Sequence, residues 1–109
     1  MIAVILEFDP IDGLEKEFIA SWIHCTQVIY KNFGSLGSRL HRSSDGKFIA
    51  YAQWPSNELY AASADWPAHL VEARDSMRKL IKNGKPNVLH LLEVEADLLK
   101  LAPAPAVPL

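Results

Sequence analysis

Arg39 and His41 stand two residues apart in a segment that reads as a strand, which puts both side chains on one face. A permanent cation beside an imidazole that titrates near neutral pH can hold an oxyanion and accept a proton. If Asp45-Gly46 is a two-residue turn, Ser43 faces Phe48, His41 faces Ala50, Arg39 faces Ala52 and Gly37 faces Trp54. Two alanines and a glycine on that side leave volume unfilled, so Arg39 and His41 become the candidate catalytic pair in a pocket wall. Trp54, Trp66, His69, Tyr51 and Trp22 are the candidate substrate-binding side chains around it. The competing use of the same face is an interface between protomers, where Arg39 and His41 would only form intersubunit hydrogen bonds.

Each aromatic candidate has a structural alternative. Trp66 and His69 sit at an apparent restart of the second helix, where freed backbone N–H groups could hold an anionic oxygen. Equally, Pro67 makes a plain turn and Trp66 plugs the core. Tyr51 and Tyr60 can donate to a ligand oxygen or simply fill half-buried positions. Trp22 lies on the inner stripe of the first helix, as packing or as a cavity wall.

Other chemistries lack their parts. His24 falls on the polar face of the first helix, and His90 reads as a hydrogen-bonded histidine buried on the last strand. Cys25 is the single cysteine and reads as a small hydrophobe on a buried face, so no internal disulfide or zinc site is expected. No Ser-His-Asp or Cys-His-Asn pattern has local support, and the glycines at 34 and 37 lack the strand-to-helix setting of a phosphate loop.

The elements that position these residues follow from patterning. Residues 2–8 are apolar on both parities, the mark of a strand covered on both faces. Asp9-Pro10 ends it, and Asp12 with Glu15 resembles a capping box opening a helix from Leu14 to about Asn32. Leu14, Phe18, Trp22, Cys25, Ile29 and Phe33 make its buried stripe. Leu36 to Ser43 and Lys47 to Trp54 form a hairpin around Asp45-Gly46. A second helical region opens at Ser56 and restarts with Pro67 at its first position. Its stripe is Leu70, Ala73, Met77, Leu80 and Ile81. Asn83-Gly84 breaks it, and Val88 to Glu95 is the fourth strand.

The order βαββαβ predicts an α+β, ferredoxin-like fold with one antiparallel four-stranded sheet. The chain has 109 residues, 50% of them hydrophobic, enough for one domain, placed at 1–98. Residues 99–109 read as an extended Pro-rich tail, since three of the seven prolines fall in the last eight residues. Eleven basic against 13 acidic residues give a net charge of −2, which argues against a nucleic-acid surface. The apolar run at the N-terminus is too short for a membrane span and lacks the marks of a secretion signal, so a cytoplasmic location is expected. Helices cover one sheet face only, yet the first and third strands are apolar on both. A homodimer packed through the second face is the expected cover.

The segment from Gly34 to Arg42, the Asp45-Gly46 turn and Phe48-Ile49-Ala50-Tyr51-Ala52-Gln53-Trp54-Pro55-Ser56 resemble the antibiotic biosynthesis monooxygenase domain, over about residues 1–96. The resemblance implies a homodimeric α+β barrel. It also implies oxidation of a small phenolic, quinol or polycyclic aromatic substrate by O2, with neither a metal nor any other cofactor. In the haem-degrading branch, an ungapped register puts Leu6, Ser63 and Ala73 where that chemistry uses Asn, Trp and His, so haem degradation is disfavoured. Cofactor-free oxygenation needs a base, donors for the oxyanion and a dry aromatic cavity. The alternative is a non-catalytic dimeric module that binds a small apolar ligand.

Overall fold

The computed structural model describes residues 1–100. Its elements are β1 (Ile2–Phe8), α1 (Glu15–Asn32), β2 (Gly37–Arg42), β3 (Phe48–Trp54), α2 (Asn57–Ala62), α3 (Val71–Arg78) and β4 (Asn87–Glu93). The four strands form one antiparallel sheet in the order β2-β3-β1-β4. This is the expected ferredoxin-like α+β arrangement, with the second helical region in two pieces. No helix among the described residues is long and apolar enough to cross a membrane. Most of the Pro-rich tail, 101–109, lies outside the described residues.

β1 and β3 are the two central strands. On β3, Phe48, Ala50, Ala52 and Trp54 are buried under the helices, while Ile49, Tyr51 and Gln53 on the other side are only partly covered. α1 sends Phe18, Trp22 and Cys25 into the same side, at the four- and three-residue steps that keep a helix stripe in line. Phe18 is fully buried between Phe8 and Phe48, with ring centres 5.3 and 5.4 Å away. The core has two parts. Phe8, Phe18, Trp22, Cys25, Phe48, Ala50, Met77 and Ile81 form one, and Ile2, Val4, Ala52 and Trp54 the other.

Three local expectations are corrected. The Asp12–Glu15 capping box does not form: α1 starts after Leu14 with no side-chain cap, and Asp12 instead meets Lys82 Nζ at 3.2 Å. That contact, with Asp9 nearby, raises the Lys82 ammonium above its ordinary value. It reinforces a backbone clasp in which Ile11 N–H donates to Leu80 O and Lys82 N–H to Asp9 O. Pro67 does not begin a helix. Its carbonyl accepts the Leu70 N–H in a turn, and α3 starts only at Val71. His90 is exposed rather than buried, because β4 is an uncovered edge strand.

The hairpin expectation is also corrected, with larger consequences. Ser43 N–H donates to Lys47 O and Gly46 N–H to Ser43 O, so the loop holds three residues, Ser44, Asp45 and Gly46, not two. Gly46 has φ +86°, the left-handed position that a three-residue hairpin loop gives to glycine. The Asp45 carboxylate accepts the Lys47 N–H at 3.1 Å, which holds it below the usual carboxylate range. The partners are therefore Arg42 with Phe48, Leu40 with Ala50 and Ser38 with Ala52. Side chains alternate along a strand, so this one-residue difference moves Arg39 and His41 to the sheet face away from the helices.

Candidate functional site

Between the helices and the sheet lies a cavity of about 470 Å³, within the range of small-molecule sites. It borders both parts of the core: Phe8, Trp22, Cys25 and Met77 come from one, Ala52 and Trp54 from the other. The volume has a local cause. Small side chains, Ser38 and Ala52 on the sheet and Ala61, Ser63 and Ala64 around the end of α2, occupy positions where larger ones would close it. The interruption between α2 and α3 adds to this, because no continuous helix covers the sheet there.

All three tryptophans of the chain line this cavity. Trp54 is buried at the end of β3 and meets Tyr60 edge-on at 5.7 Å. Trp66, in the segment joining α2 to α3, packs against Phe33 at 4.8 Å and carries the Arg74 guanidinium 5.7 Å from its ring centre. Burial raises the Tyr60 hydroxyl, so the group stays a hydrogen-bond donor across the neutral range. Burial also pushes the Cys25 thiol up to about 11, against the opposing pull of Arg78 and Arg74. Cys25 is thus a protonated wall group and no nucleophile near neutral pH.

Of the residues anticipated for substrate binding, Trp22, Trp54 and Trp66 meet in this cavity, while Tyr51 and His69 do not line it. Tyr51 is on the other face of the sheet, where its hydroxyl accepts the Gln53 Nε2–H at 3.1 Å. His69 is exposed in the turn before α3. Arg39 and His41 also lie outside the cavity, as the corrected register requires. Arg39 borders a second, shallower hollow of about 210 Å³ with Leu36, Tyr51, Gln53 and Leu99, and His41 Nδ1–H donates to Ile49 O at 3.1 Å. No group of three or more His, Cys, Asp or Glu among the described residues could hold a metal ion.

The polar groups that do reach the cavity are Thr26, Ser35, Ser38, Tyr60, Ser63, Arg74, Arg78 and Lys85. Sequence patterning does not single out Arg74 or Arg78 as site residues. A period-four step on a helix whose other face is buried was the available signal. Among the described residues, the lining offers donors and cations but no His, Asp or Glu to act as a base.

The chain as a whole superimposes on known structures. A cofactor-independent oxygenase from Streptomyces nogalater, SnoaB, superimposes with a TM-score of 0.71 at 15% identity, covering 91% of this chain and 97% of the other. The fold is that of the antibiotic biosynthesis monooxygenases. A candidate antibiotic biosynthesis monooxygenase from Bordetella bronchiseptica matches at TM-score 0.72 and 20% identity, over 85% of this chain and 95% of that one. Rv0793 from Mycobacterium tuberculosis matches at 0.69 and 18%, over 90% and 98%. No family model matches the sequence and no curated protein is similar to it. The likeness to the antibiotic biosynthesis monooxygenase fold is therefore one of backbone, retained where sequence similarity is low.

Proposed function

We propose that the helix-side cavity binds a small phenolic, quinol or polycyclic aromatic compound and promotes its oxidation by O2 without a cofactor. The observation that carries the reading is the convergence of all three tryptophans, with Tyr60 and two guanidiniums, on one unfilled space under the helices. The neighbouring fold of a cofactor-independent oxygenase supports the same reaction class. In this reading a carbon acid such as an anthrone loses its proton to water, since the lining among the described residues provides no carboxylate or imidazole. The Tyr60 hydroxyl, a donor in the lining, stabilises the resulting oxyanion in a poorly solvated site. Oxygen takes one electron from the anion, superoxide and carbon radical join as a peroxide, and loss of water leaves a carbonyl. In balance, CH2 and O2 become C=O and H2O.

The second reading, a module that binds a small apolar ligand without turnover, draws on that missing base. Oxygen uptake with a panel of hydroxylated anthrones and hydroquinones separates the two. Catalysed uptake that Ala52→Leu abolishes by filling the cavity supports the enzyme; binding without uptake leaves the module.

A homodimer and a cytoplasmic setting complete the proposal. Support for the dimer comes from the sheet face opposite the helices, where Ile5, Ile49, Tyr51 and Leu92 lie together, and from the β4 edge, where Val88, Leu89, Leu91 and Leu92 are 41–55% exposed. An apolar face joined to an apolar edge is what a second copy would cover. Arg39 and His41 then serve at the contact between protomers. The domain ends near residue 98 in this proposal.

A further inference from the structure

The cavity is lopsided in charge. Arg74, Arg78 and Lys85 line it, and among the described residues no Asp or Glu does, in a chain whose net charge is −2. Arg74 Nε is engaged by its neighbour Asp75 at 3.3 Å, outside the lining. Arg78 is different. It forms no ion pair among the described residues, and its Nε is buried with no hydrogen-bond acceptor there. Its place in the last turn of α3 gives it the favourable end of the helix dipole, but a dipole supplies no acceptor for a buried N–H. An unpaired buried donor on a cation is costly, and such groups find an anion where one can reach them. Both guanidiniums also lie close enough to Cys25 to oppose the rise of its thiol, which places their charge at one part of the wall.

We infer that the ligand of this cavity is an aromatic anion: a planar ring system carrying an ionised carboxylate, which Arg78 receives while the rings lie among Trp22, Trp54 and Trp66. The inference rests on the reading of the cavity as the binding site and adds the specificity determinant. A guanidinium offers a planar fork that matches a carboxylate, so charge and shape are read together. Lys85, exposed at the start of the β4 segment, sits at the rim where it attracts the anion before entry. Arg74, already bound to Asp75 and stacked on Trp66, holds the aromatic wall in place.

The experiment is tryptophan quenching by anthraquinone-2-carboxylate and by the uncharged anthraquinone-2-carboxamide, which has nearly the same shape. Every tryptophan lines the cavity, so emission reports its occupation. The carboxylate is expected to bind about tenfold tighter than the amide, the worth of a charge-assisted hydrogen bond. In Arg78→Gln the preference should vanish while amide binding stays the same, and Arg78→Lys should keep only part of it. Circular dichroism checks the fold of each variant. Should Arg78→Gln fail to fold, the wild-type comparison and Arg78→Lys still decide. Equal binding of the two probes by the wild type, or an unchanged preference in Arg78→Gln, overturns the inference and leaves the cavity reading intact. If neither probe quenches, the cavity reading itself fails.

Discussion

Arg42 lies directly opposite Phe48 in the hairpin, and its guanidinium rests 4.8 Å from the centre of that ring. This pairing fixes which residues of β2 look toward the helices: Ser38, Leu40 and Arg42. It also sends Arg39 and His41 to the opposite face. The three-residue loop that sets the pairing depends on Gly46, at φ +86° with open space where a Cβ would sit. Gly46→Ala is therefore a conformational test without a clash. It should lower stability by about 1 kcal/mol in urea unfolding, the cost of forcing a left-handed backbone on alanine. An unchanged midpoint would refute the loop geometry.

Because Arg39 and His41 point away from the cavity, their removal should leave it alone. Arg39→Ala and His41→Ala are expected to bind an aromatic quencher with affinities within about twofold of wild type, as for surface substitutions remote from a site. If the homodimer forms as proposed, sedimentation of the same variants is where an effect should appear. A large loss of quencher binding in either would return these residues to the site.

The fold was largely readable from the residues. Phe18, Trp22 and Cys25 recur at helical spacing and are the buried residues of α1, and the parity of β3 separates its two faces correctly. The cavity is readable in its tryptophan walls and its third-strand face, but not in the residues of β2 that share that face. Trp22, Trp54 and Trp66 were recognisable as walls, whereas the polar groups were assigned through a two-residue turn. Asp-Gly is compatible with both loop lengths, and the choice rests on the Ser43 to Lys47 backbone bonds, which side-chain patterning does not encode. Arg78 was hidden for a different reason: a basic residue in a last helical turn is ordinary, and only burial of its Nε makes it unusual.

Phe18 joins the two central strands to α1 and is fully buried. Phe18→Ala should cost about 3–5 kcal/mol, through lost burial and an added void between Phe8 and Phe48. Denaturant unfolding measures it. A cost below about 1 kcal/mol would mean that the core is not arranged around this ring.

Cys25 provides a pH test. Its thiol is raised to about 11 when folded, above the ordinary 9.0, mainly by burial. A raised folded value contributes stability that is complete below the unfolded value and disappears as pH climbs through the folded one. Stability should therefore fall between about pH 9 and 11, by roughly 2 kcal/mol more in the wild type than in Cys25→Ala. Native protein should also react with a thiol reagent at pH 8 far more slowly than unfolded protein. Parallel alkaline limbs for both chains, or rapid native labelling, would contradict the burial of this thiol.

The account turns on which side of the sheet receives the aromatic ligand. A crystal structure grown with anthraquinone-2-carboxylate decides it. The expected density lies under the helices, beside Trp22, Trp54 and Trp66, with the carboxylate at Arg78. Density confined to the other face, against Arg39, Tyr51 and Gln53, would contradict the assignment of the site.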